Sequence, residues 1–167
     1  MRRKLVLYED KIFKEGIYMS NGKFLYRDAK PSDYREVASV IKEIFDFDVS
    51  EKNYMKYMED DSVEIFVAES DERIAGVLCA EKQWHAFEGY TNYYLRNCGV
   101  LPQYREQGIY SKLIAMIKEK AFNEGIHAIE LTCGINRPLT HRFYLNHGFT
   151  IKKTLVFISE LKEGSNQ

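Results

Sequence analysis

The chain lacks any apolar run approaching the roughly 18 residues of a membrane-spanning helix. Its opening, MRRKLVLYEDKIF, has a basic tip but no apolar stretch long enough for a secretory signal. Cysteine is scarce. Cys79, Cys98 and Cys133 stand far apart with no CxxC pair, so no disulfide framework is expected and the count fits a reducing compartment. No charge of one sign dominates: 24 Lys and Arg oppose 25 Asp and Glu, a net −1 that disfavours a nucleic-acid-binding module. Neither GxxxxGK[ST] nor GxGxxG occurs, which excludes a P-loop and a dinucleotide fingerprint. There is no internal repeat and no low-complexity segment. These absences leave a cytoplasmic globular protein of 167 residues, 45% of them hydrophobic, with enough apolar material for one core.

What is present reads as alternating strands and helices. KLVLY and KIFKEGIYMS are β-prone, and Asn21-Gly22 before KFLYRDA predicts a hairpin turn. KPSDYREVASVIKEIF predicts a helix capped by Ser32, with Val37, Val40, Ile41, Ile44 and Phe45 as its apolar stripe. A shorter helix, VSEKNYMKYMED, has Ser50 as its cap. SVEIFVAES and RIAGVLCAEKQW are strands joined by a turn at Asp71-Glu72, and YTNYYLRNCGV is a third. A strong helix follows to Gly125, then a strand, HAIELTCG, a helix closed by Gly148, and a last strand, FTIKKTLVFISEL. The strand–helix–strand unit at residues 91–133 requires a right-handed parallel crossover. Hairpins around it make the sheet mixed, with helices on both faces.

The segment VLPQYREQGIYSKL, residues 100–113, enters its helix through a polar loop with one glycine. The first N–H groups of a helix have no intrahelical partner, and the macrodipole makes that end positive. Such an end is an anion site. Gly108 permits close approach to the backbone, and Arg105 adds a phosphate-pairing charge. An ordinary loop with a solvated arginine is equally compatible with these residues. A second segment, NRPLTHRFYLNHGF, puts Tyr144 on a helix whose Leu139, Phe143 and Leu145 are expected to face the core. A half-buried helix tyrosine is the plain reading of Tyr144.

Together the two segments resemble the GCN5-related N-acetyltransferase (GNAT) superfamily. Val100, Pro102, Arg105 and Gly108 stand in the V-x-P-x-x-[RQ]-x-x-G-x-[GA] pattern with which that family leaves its fourth strand. Asn136, Phe143, Tyr144, Gly148 and Phe149 match its second pattern, with Thr140 where Ala is usual. The resemblance covers roughly residues 24–161 and implies an α/β GNAT fold. That fold is a mixed twisted sheet with a parallel pair between the family's fourth and fifth strands. Residues 1–22 are then an N-terminal β-hairpin extension, and residues 23–167 a single domain.

The resemblance further implies transfer of an acetyl group from acetyl-CoA to a primary amine by direct attack. Arg105, Glu106, Gln107, Gly108, Ile109, Tyr110 and Ser111 would cradle the pyrophosphate. The strand ending at Cys98 and Val100 would carry the pantetheine arm, with a backbone N–H near Cys98 facing the thioester oxygen. Asn136 would hold the arm from the other side, and Tyr144 would protonate the departing thiolate. Tyr110 replaces the family's small residue. The carboxylate that the family often carries on the fourth strand is missing from Leu95-Arg96-Asn97-Cys98. Glu81 is therefore taken as the base, with Glu130 and His85 as alternatives. Cys133 leaves open an acetyl-cysteine route. Acidic residues (Asp46, Asp48, Glu51, Glu59, Asp60, Asp61) and aromatic ones (Trp84, Phe87, Tyr90, Tyr93, Tyr94) suit a cationic small-molecule amine. The alternatives are a protein amine and a non-catalytic acyl-CoA-binding module. No metal, membrane or nucleic acid is expected, and a homodimer through an exposed sheet edge is.

Overall fold

A computed structural model describes residues 17–20, 23–71 and 73–159, the first four by backbone alone. KLVLY, the Asn21-Gly22 turn and Glu72 of the Asp71-Glu72 turn lie outside the described residues. The chain forms two compact units, one ending at Thr132 and one beginning at Cys133.

The first unit contains β1 (Ile17–Ser20), β2 (Leu25–Asp28), a 3-10 turn (Pro31–Asp33), α1 (Tyr34–Phe45), α2 (Glu51–Met58) and β3 (Val63–Glu69). It continues through β4 (Ile74–His85), β5 (Tyr90–Val100), a second 3-10 turn (Pro102–Tyr104), α3 (Ile109–Asn123) and β6 (Ala128–Glu130). The six strands lie in chain order. Pairing is antiparallel up to β5 and parallel between β5 and β6, where Asn92 to Tyr94 face Ala128 to Glu130. The single parallel pair is joined by a crossover through α3, while α1 and α2 lie in the connection between the antiparallel strands β2 and β3.

Strand alternation distributes the helices to opposite faces. Val67 and Val77 pack with Val37, Val40 and Ile41 of α1 and with Tyr54 of α2. The intervening residues turn the other way, toward α3. Glu64 pairs with Lys120 at 3.2 Å, and the Tyr93 hydroxyl donates to Glu124 at 2.6 Å. On that side Phe66, Leu78, Leu113 and Ile117 are fully buried. Gly125 takes φ 69° just past α3, the left-handed C′ position its sequence predicts.

Ser50 caps α2, accepting from the Asn53 N–H at 3.2 Å. Ser32 does not cap α1. It sits within the 3-10 turn, and Asp33 fixes the entry instead, accepting from the Lys30 N–H at 2.7 Å. Asp33 is claimed by Arg27, whose guanidinium meets both carboxylate oxygens at 2.6 and 3.1 Å and reaches Glu69 at 2.7 Å. A bidentate buried pair holds the turn more firmly than a serine hydroxyl.

The second unit contains α4 (Pro138–Asn146), with Pro138 in its first turn and Gly148 at φ 79° after its end. The last strand, expected over residues 149–161, is described to residue 159 and has no strand pairing within this unit taken by itself. The described part of this unit has no second strand to complete a ladder, and an extended segment without a partner is not a strand. Leu139 and Leu145, expected to face a core, are exposed.

Candidate functional site

The site begins with an irregularity in β5. Val77 faces Gly99 and Cys79 faces Arg96, so two steps on β4 are matched by three on β5. The extra residue makes a bulge, and Asn97 there takes φ 47°. Asparagine tolerates that left-handed conformation better than most residues. β6 ends opposite Tyr94, so residues 95–100 of β5 continue with β4 on one side and, among the described residues of this unit, no strand extending the ladder on the other. Two glycines permit close packing around the bulge. A methyl on Gly99 would lie 3.0 Å from the Ile44 side chain at the end of α1. One on Gly76 would lie 3.1 Å from the Gly99 carbonyl and 3.3 Å from Ile109.

Next comes the helix entry. Glu106 at φ 62° and Gly108 at φ 76° flank Gln107. Positive-φ residues placed this way turn neighbouring N–H groups into a concave nest for anions. Among the described residues no side chain caps α3, and beyond its chain neighbours none lies within 4 Å of where a Gly108 Cβ would be. Ile109 is buried and fixes the helix start, while Arg105 is exposed with its Nε donating to the Val100 carbonyl at 3.2 Å. Ser111 lies half-buried in the first turn of α3. Cys98, Val100 and residues 105–111 thus form one continuous ledge, bulged strand into uncapped helix. Tyr110 does not lie idle along the helix: it hydrogen-bonds the Cys98 sulfur. Burial pushes the Cys98 and Cys79 thiols up to about 12, which makes both neutral.

The three base candidates share the α1/α2 face of the sheet but separate along it. His85 and Glu130 belong to a cluster around buried Asn92. Asn92 Nδ2 donates to Glu130 at 2.7 Å and lies 3.4 Å from His85, while its Oδ1 is buried without a hydrogen-bond partner. Asn92 is four residues from Arg96, about 13 Å along a strand. Glu81 is the one beside the bulge. It accepts from Arg96 Nε at 2.8 Å, and the guanidinium lies 4.8 Å above the Tyr94 ring. Among the expected wall aromatics, Trp84 and Phe87 are exposed at the β4–β5 turn. Tyr93 is not on this wall, since strand alternation sends it to the α3 face, where its hydroxyl reaches Glu124.

Arg96 was not singled out by motif. The Asn97 before Cys98-Gly99 was the available signal: an Asn-containing break in an alternating strand marks a bulge, and a bulge re-aims its neighbours.

Asn136 and Tyr144 belong to the second unit. Asn136 is exposed in the turn before α4, which the Arg137 N–H closes onto the Gly134 carbonyl at 3.1 Å. Tyr144 is half-buried on α4, its ring 5.3 Å from Phe149 and 5.5 Å from Phe143. Cys133 is a free, half-buried thiol. No cluster of metal-ligating side chains occurs among the described residues, and no helix there is long and apolar enough to cross a membrane.

Residues 25–149 match the sequence profile of the acetyltransferase (GNAT) family. An aminoalkylphosphonate N-acetyltransferase of Salmonella typhimurium is 27% identical over 118 residues, covering 71% of this chain and 77% of that protein. An aminoglycoside acetyltransferase from an uncultured soil metagenomic sample, in complex with trehalose, has the same fold at a TM-score of 0.76 and 15% identity; the match covers 86% of this chain and 99% of that one. AAC(6')-Iy in complex with the bisubstrate analog CoA-S-monomethyl-acetylneamine superposes at 0.72 and 15% identity, over 83% and 99% of the two chains.

Proposed function

Because this chain belongs to the GNAT acetyltransferase family, we propose that it moves an acetyl group from acetyl-CoA to the primary amine of a small molecule, by direct attack of the amine. The observation that carries the reading is the ledge itself: an open glycine at positive φ on an uncapped helix, continuous with a bulged strand that outruns its parallel neighbour. Diphosphate fits the first part, because its oxygens need closely approachable N–H groups and a positive helix end. An amide-bearing arm fits the second, because a strand edge offers alternating donors and acceptors. The complex of a like-folded protein with a CoA-based analog supports the same choice of donor, and the Salmonella relative's name supports a small amine as acceptor.

Acetyl-CoA, when bound, supplies an activated thioester. The chain's residues do the rest in this proposal. Amides of residues 105–111 hold the diphosphate, with Arg105 adding charge at the rim. Backbone N–H groups at the Asn97–Cys98 bulge face the carbonyl oxygen of the reacting group, where fixed donors act most strongly. Glu81, kept beside the bulge by Arg96, takes the amine proton directly or through water. Asn136 steadies the arm. Tyr144 gives its proton to the leaving sulfur, a role suited to a phenol of pKa near 10.

The test is release of free CoA against a panel of primary amines, with Tyr144→Phe alongside. The Phe variant keeps the ring contacts to Phe143 and Phe149, so its melting temperature should barely move. Its kcat should fall by roughly 10²- to 10⁴-fold, the range for a general acid, with KM for acetyl-CoA nearly unchanged. Wild-type turnover by this variant would remove the tyrosine from the mechanism. CoA binding without turnover on any amine would identify a non-catalytic acyl-CoA module instead.

A further inference from the structure

We infer that the acceptor amine carries its own anionic group, and that Arg96 receives that anion while Glu81 faces the amine end. The inference rests on the acetyltransferase reading above and adds the charge pattern of its substrate.

Arg96 directly precedes the left-handed Asn97, so its side chain leaves β5 one residue from the bulge. Among the described residues only its Nε is hydrogen-bonded, donating to Glu81 at 2.8 Å. The guanidinium carbon lies 4.8 Å from the centre of the Tyr94 ring, the Arg96 side chain is 51% exposed, and the two terminal nitrogens make no hydrogen bond among the described residues. A half-exposed guanidinium held at Nε by Glu81 and close to the Tyr94 ring leaves its outer, two-pronged edge open to a ligand. That edge matches a carboxylate or phosphonate oxygen pair.

The alternative is a surface ion pair with no ligand role. Such a pair contributes little, and it gives no reason for a cation at this spot. A lone positive charge beside the bulge would repel a plain alkylammonium arriving there. Glu81 cancels that charge locally, leaving a plus and a minus in direct contact at 2.8 Å. The complementary ligand is a zwitterion with opposite order: anion on Arg96, amine on Glu81. Because the pair is in direct contact, a linker of two or three carbons, spanning about 4–5 Å, fits best.

Free CoA release is measured for three acceptors of equal linker length: an ω-aminoalkylphosphonate, an ω-aminoalkylcarboxylate and an ω-aminoalcohol. The wild-type protein should favour the two anionic amines by at least about tenfold in kcat/KM. Arg96→Gln should lower kcat/KM for those two by roughly 10- to 100-fold, the worth of a charged hydrogen-bonded pair, mainly through KM. The aminoalcohol loses only the arginine's hold on Glu81, so its kcat/KM should also fall, through kcat, but by at least about tenfold less than for the anionic amines. Arg96→Lys, which keeps the charge without the fork, should restore only part of the loss. Equal wild-type rates on all three acceptors overturn the inference while leaving the acetyltransferase reading standing, and that comparison needs no variant. A uniform loss across all three in Arg96→Gln also overturns it, since the arginine then serves only to hold Glu81. Absence of CoA release with every amine removes the underlying reading, and the inference with it.

Discussion

Gly108→Ala separates backbone strain from ligand approach at the helix entry. Gly108 sits at φ 76°, where an L-residue is strained by roughly 1–2 kcal/mol. Beyond its chain neighbours, no described residue comes within 4 Å of the added methyl, so no packing cost joins that figure. For a chain of this size, about 1 kcal/mol lowers the melting temperature by roughly 2–4 °C. CoA affinity should fall by more than strain explains, at least about tenfold, or about 1.4 kcal/mol. Gly108→Asn completes the comparison. Asparagine tolerates the left-handed region, so most of the melting temperature should return. Its side chain still stands over the loop, so CoA should bind no better than to the alanine variant. Calorimetric titration with CoA and a thermal melt give both quantities. Affinity within twofold of wild type in both variants would refute the diphosphate cradle. Affinity restored by asparagine would show that backbone conformation, not access, is what the glycine supplies.

Gly76→Ala should be worse for the fold and indirectly for the site. Its methyl would crowd the Gly99 carbonyl, Val100 and Ile109, an overpacking worth about 1–3 kcal/mol, read by denaturant midpoint and accompanied by weaker CoA binding. The Arg27–Asp33 pair sets an acid limit on stability. Burial pushes the Asp33 carboxyl upward, but hydrogen bonds from Arg27 and the Lys30 amide outweigh it and hold the carboxyl below its ordinary range. Its contribution is therefore full above the unfolded value of about 3.9 and is lost as pH falls toward the lower folded value. Asp33→Asn should cost about 3 kcal/mol at neutral pH, the low end for breaking a buried pair because Glu69 still reaches Arg27, and should flatten the decline in stability below about pH 4. An acid slope identical to wild type would place that sensitivity elsewhere.

The fold was legible where one residue type decides a local structure. Gly125 and Gly148 end helices because only glycine takes those angles cheaply, and Ser50 caps α2 because its hydroxyl reaches the Asn53 amide. The α1 stripe of Val37, Val40 and Ile41 was equally plain, since helical spacing fixes which residues share a face. Ser32 misled because its neighbour Asp33 has a distant partner, Arg27, which no local pattern contains. The strand expected at residues 149–161 finds no partner within its own unit over its described part, since alternation states a preference and a ladder requires a second strand. The ledge was readable as a motif, while the Arg96–Glu81 contact was not. It depends on the bulge register that puts Arg96 opposite Cys79, two residues from Glu81 on the neighbouring strand.

The overrun of β5 beyond β6 divides labour between main chain and side chains. Peptide groups along residues 95–100 are chemically the same whatever side chains they bear, so a ligand read by them is indifferent to substitution there. Side chains on the same residues project from the sheet faces and answer to whatever lies above them. One six-residue run can thus keep a constant donor-side grip while the opposite chemistry drifts. An arginine at position 96 is one setting of a dial that mutation can turn without rebuilding the edge beside it.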